Sequence, residues 1–197
     1  MKTLKKITCS VLALGLVMGL TACAPKTFDK QKLIKFLDDR DFEDYDEPED
    51  FYGDFSRIIM GVEGSAYVYC DGKDAQNVYD TVINRFGALP DCDVDETVTL
   101  AIADESGNGY GYGCLFVFED IKDAEEFFEE YGEMYADDGE NGDDYYIECD
   151  KITSGKDLYC GVYIKDNTVF VIRFIGIDSD FVDDLCKVYG VKSPTKI

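Results

Sequence analysis

The chain has 197 residues, of which 42 are acidic, 19 basic and none histidine, for a formal net charge of −23. An apolar-plus-aromatic share of 46% is enough to bury one domain-sized core, which excludes wholesale disorder. The acid excess excludes a nucleic-acid partner, since phosphate binding needs clustered Lys and Arg. The lack of His removes Ser-His and Cys-His nucleophile pairs and His-based metal sites.

The first feature in chain order is an export signal. Lys2, Lys5 and Lys6 make a positive start, and Ile7 to Leu20 follow as 14 residues without a charge. That run is too short to cross about 30 Å of hydrocarbon and has the length of a signal core. Leu20-Thr21-Ala22-Cys23 comes next. An ordinary secretory signal cut near Ala22 or Ala24 is one reading of these residues. Their order resembles the signal peptide and lipobox of bacterial lipoproteins. The resemblance implies that residues 1–22 are removed and that Cys23 carries a diacylglyceryl group with palmitate-like chains. The protein would then sit on the outer, extracytoplasmic face of the cell membrane. Two acyl chains hold where one is marginal. Residues 23–27 form the anchor and a short tether. The mature chain keeps 42 acidic and 16 basic residues. An anionic surface repels such a body, and divalent cations or a basic partner would relieve the repulsion.

Residues 28–54 read as an N-terminal helix, Phe28 to Leu37, and an acidic segment. Asp38 to Asp54 holds ten acids in seventeen residues, is interleaved with Phe42, Tyr45, Phe51 and Tyr52, and is broken by Pro48. It reads as a loop or frayed helix pinned by its aromatics. Residues 55–197 read as a single α+β domain. Ala66 to Cys70 is a strand, and Asp71 caps a helix from Lys73 to Phe86 that ends at Gly87 and Pro90. Thr97 to Ala103 and Cys114 to Phe118 are strands around a Gly-rich turn. Asp120 caps a helix, Ile121 to Ala136, with Ala124, Phe127, Phe128 and Tyr131 on one face and six acids on the other. Tyr145 to Lys151, Leu158 to Lys165 and Val169 to Ile175 are strands, and Asp180 to Tyr189 is a final helix before Gly190.

Asp71-Gly72-Lys73-Asp74-Ala75 and Asp120-Ile121-Lys122-Asp123-Ala124 match at an offset of 49. Two strand-helix-strand units give a ferredoxin-like βαββαβ order, to which a C-terminal hairpin and helix are added. The expected architecture is a mostly antiparallel sheet with helices on one face. Phe116-Val117-Phe118-Glu119-Asp120, a strand running into an acidic turn and an amphipathic helix, resembles the pattern of small lipoproteins of clostridial-type Gram-positive bacteria. That resemblance implies no activity.

Six cysteines remain once Cys9 and Cys23 are set aside. An even number in an exported domain suggests disulfides, although free core thiols fit equally. A turn at Ser154-Gly155 places Cys149 opposite Cys160. In the ferredoxin-like order Cys70 and Cys114 share one sheet edge.

Three constellations could carry chemistry. Asp137, Asn141 and Glu148 fall at positions 1, 5 and 12 of an EF-hand-like loop for Ca²⁺. Gly139 supplies no ligand at position 3, however, and a strand follows where a helix is needed. Tyr110 and Tyr112, set between alternating glycines, could stack on a ligand or belong to a hairpin. Paired carboxylates could hydrolyse a glycan, but 42 acids make some pair inevitable. The leading expectation is a membrane-anchored, non-enzymatic binding or envelope-associated module with a protein or cell-wall partner. The alternatives are a calcium-dependent binding module or a carboxylate-based cell-envelope hydrolase.

Overall fold

The computed structural model describes residues 27–83, 92–136 and 138–197. Its elements are helix α1 (Lys30–Asp38), strand β1 (Glu43–Tyr45), helix α2 (Pro48–Ile58) and strand β2 (Gly64–Asp71). Helix α3 (Gly72–Val78) runs into a π-helical turn (Tyr79–Ile83). Strands β3 (Val94–Ala103) and β4 (Tyr110–Phe118) precede helix α4 (Ile121–Ala136). Strands β5 (Glu140–Gly142), β6 (Tyr145–Lys151), β7 (Asp157–Lys165) and β8 (Thr168–Ile175) lead to helix α5 (Ser179–Tyr189). The expected helix end at Phe86, Gly87 and Pro90 lies outside the described residues, as do residues 1–26.

Among the described residues, the eight strands form one sheet in the order β1-β2-β3-β4-β8-β7-β6-β5. Every neighbouring pair is antiparallel except β1 with β2. The α+β class and mostly antiparallel sheet are those expected. The ferredoxin-like order is not present: β2 pairs directly with β3, and β4 pairs with β8. The shared Asp-x-Lys-Asp-Ala phrase records how a helix starts and carries no information on strand order. Even that start differs locally. Asp120 accepts a hydrogen bond from the Asp123 N–H at 3.0 Å, whereas the Asp71 side chain makes no capping bond.

Helices cover both faces, not one. Side chains alternate along a strand, so β8 sends Val169 and Val171 to one face and Phe170, Ile172 and Phe174 to the other. All five are at most 1% exposed. Helices α2, α3 and α4 close the first face with Phe51, Phe55, Ala75, Val78, Phe127 and Tyr131. Helices α1 and α5 close the second with Leu33, Phe36, Leu37, Val182 and Leu185.

The acidic segment is ordered. Its chain passes from α1 on one face, around the sheet edge as β1, to α2 on the other face. Pro48 begins α2 instead of breaking the run, as fits a residue with no N–H to satisfy in the first turn. The boundary drawn between residues 54 and 55 therefore falls inside a helix whose Phe51 and Phe55 enter the same core. Both sheet edges are three-residue strands bearing acids, which discourages pairing with another chain.

The chain is fixed to this body from Phe28 onward. Its N–H donates to Thr168 Oγ1 at 3.0 Å, and its ring lies 4.8 Å from that of Tyr189 and 6.3 Å from that of Phe170. Phe170 also meets Tyr163 and Tyr189 at 6.0 and 5.0 Å. Phe170→Ala, which would empty the centre of this group, is expected to cost about 3–5 kcal/mol in denaturant unfolding with an unchanged m-value.

Candidate functional site

The residues of the expected metal loop form a hairpin. Glu140, Asn141 and Gly142 pair with Ile147, Tyr146 and Tyr145. An EF-hand loop wraps its ligands around an ion and enters a helix, but this segment spends its backbone on a β-ladder. Gly139 is required for that ladder, since a Cβ there would stand 1.9 Å from the Ile147 carbonyl oxygen. Asp137 lies outside the described residues. Asn141 is exposed on β5, two ladder positions from Glu148 on the same face. Among the described residues, no three Asp, Glu, Cys or His side chains are placed to hold a metal.

Glu148 does lie in an acidic depression of about 520 Å³, with Asp138, Glu140, Cys149 and Asp150 on its walls. Burial holds the Glu148 carboxyl above the usual range, and Asp150 and Asp138 add to the shift. Arg173, two strands away in the row Glu148, Cys160, Arg173, acts against it. Glu140 is held below its usual range by hydrogen bonds from Lys192 and from Tyr145, whose hydroxyl is 2.7 Å away. The wall thus combines one carboxyl that resists ionisation with one that favours it.

Tyr110 and Tyr112 are strand residues of β4, not the tips of a loop. Tyr112 is 4% exposed; its hydroxyl is 2.7 Å from that of Tyr131 and its ring packs on Phe55 at 6.1 Å. It is therefore a core residue and cannot stack on a ligand. Tyr110 is half-buried, with the Lys156 ammonium 5.8 Å from its ring centre. The alternating glycines serve close packing. A Cβ on Gly111 would meet the Arg173 carbonyl oxygen at 2.3 Å and the Phe174 Cα at 2.7 Å.

Neither expected disulfide forms; all six cysteines are free. Cys149 pairs with Tyr159, and Cys160 with Glu148. This is one residue away from the expected register, and a one-residue slip puts the two sulfurs on opposite faces. Cys70 and Cys114 face Thr97 and Thr99 from opposite sides of β3, so two strand spacings, about 9–10 Å, separate their strands. Burial pushes the thiols of Cys70, Cys92, Cys114 and Cys160 up to about 12 and that of Cys186 to about 11. Such thiols stay protonated near neutral pH and are poor nucleophiles.

A second concavity, of about 370 Å³, opens at the end of the sheet where the chain enters. Phe28, Tyr145, Tyr163 and Tyr189 line it with Lys165, Lys192 and Asp144. Tyr163 donates to the Lys192 carbonyl at 2.6 Å, and Tyr189 to the Asp29 carbonyl at 3.1 Å. Sequence reading missed this grouping because Phe28 is 140 residues from its partner Thr168. The available signal was Tyr189, the last residue of the expected C-terminal helix, where an apolar position points only to a core.

Comparisons of the chain with protein-family models, curated proteins and solved structures find no match. The fold disfavours ionised Glu148, so its ionisation costs stability as pH rises past the ordinary glutamate range; at lower pH the group is neutral in both states and the cost vanishes. Glu148→Gln is expected to raise the melting temperature at about pH 7 and to leave it unchanged at about pH 3.5, as followed by circular dichroism.

Proposed function

We propose that the chain is a lipid-anchored extracytoplasmic module that binds a protein or cell-wall partner and catalyses no reaction of its own. One observation carries the anchor: basic start, 14 uncharged residues and Leu20-Thr21-Ala22-Cys23, in that order. The body agrees with a short tether, being secured from Phe28, five residues beyond Cys23. Support for binding over catalysis comes from the high thiol pKa values and from a core with no histidine to activate a nucleophile.

The anchor is tested in cells expressing the full chain. The expected result is a membrane-bound protein whose N-terminal peptide begins at Cys23 and carries the mass of a diacylglyceryl group. Cys23→Ser should move it to the soluble fraction or leave the signal uncut. A wild-type chain that is soluble and begins at Ala24 would refute the anchor.

A further inference from the structure

The helices on the two faces of the sheet differ sharply in charge. Helices α1 and α5 together carry four basic and four acidic residues. Helices α2, α3 with its π-helical turn, and α4 carry three basic and eleven acidic residues. Six of those acids lie on α4 alone, and none of them is in the core.

The chain also enters on the less acidic face. Phe28 packs with Phe170 and Tyr189, in the core closed by α1 and α5. From Cys23 to Phe28 the backbone can span at most about 18 Å. A domain whose central strand is about 26 Å long is thereby kept against any surface that holds Cys23. Such a tether fixes proximity and leaves tilt to the surface field, which for an anionic leaflet attracts lysine and repels carboxylate. Lys32, on α1, and Lys165, at the end of β7, form no ion pair with the described residues. Lys165 stands instead 5.8 Å from the ring centre of Phe28, beside the point of entry.

We propose that the face formed by α1 and α5 lies against the membrane, that its partner is an anionic phospholipid surface, and that Lys32 and Lys165 meet headgroup phosphates. This rests on the anchor at Cys23. It deepens that reading by assigning a membrane side to the domain and turning the acidic α4 face outward, toward solvent and partners.

The mature chain, Cys23 to Ile197, is coupled through Cys23 to a maleimide lipid in vesicles, with Cys149→Ser removing the exposed thiol among the described residues. Chemical coupling makes the result independent of whether cells lipidate Cys23, so this proposal and the anchor fail separately. A fluorophore is placed at exposed Gln31 on α1 or at exposed Glu129 on α4, and a headgroup nitroxide lipid quenches it. In vesicles containing phosphatidylglycerol, quenching at residue 31 is expected to exceed that at 129 several-fold. High salt should shrink the difference, and Lys32→Glu with Lys165→Glu should abolish it. Equal quenching at the two sites, or more at 129, overturns the orientation. An undiminished contrast in purely zwitterionic vesicles overturns the anionic partner.

Discussion

Strand β8 has no polar face, and the rest of the molecule follows from that. Five consecutive-pattern apolar side chains, Val169 to Ile172 with Phe174, must all leave water, three on one side of the sheet and two on the other. One helical layer could satisfy only half of them. The chain supplies two layers by sending α1 to one face and α2 to the other, joined around the sheet edge by β1. The acidic segment between them is thus held by Phe42, Phe51 and Phe55, all of which are buried. Its carboxylates stay outside, where they cost little.

This arrangement explains the division of charge. A helix exposes whatever its apolar stripe does not use. On α4 the stripe takes Ala124, Phe127, Phe128 and Tyr131, and six of the other twelve residues are glutamate or aspartate. On α1 three of the six residues outside the buried stripe are lysine and one is aspartate. The two covers serve alike as hydrophobic lids, but one is far more acidic than the other. Under the anchor proposed at Cys23 that difference matters, since a body held within a few residues of a charged surface presents one side to it.

Much of the fold was legible in the sequence. The 3–4 spacing located α1, α4 and α5 to within two residues, and alternation located β6, β7 and β8 to within one. Local chemistry did not reveal pairing. The Asp-x-Lys-Asp-Ala phrase marked helix starts while leaving the order of β2, β3 and β4 open. The Ser154-Gly155 turn was right, but a register one residue off was enough to put Cys149 and Cys160 on one face. Pro48 shows the same ambiguity, because a residue that ends one element can begin another. Of the candidate residues described, Glu148 and Cys149 line a concavity, whereas Tyr112 went to the core and Asn141 to a hairpin edge. Contacts such as Phe28 with Thr168 depend on the finished topology and leave no local mark.

Both covers protect one strand, so that the domain opens as a unit. Native-state hydrogen exchange measures this directly. Amides of β8 should exchange only through global unfolding. Leu33→Ala in α1 and Phe127→Ala in α4, on opposite faces, should lower their protection by the full loss of stability, about 2–5 kcal/mol in each case. If either variant left β8 protection unchanged while freeing only its own face, the two layers would be independent and the account would be wrong.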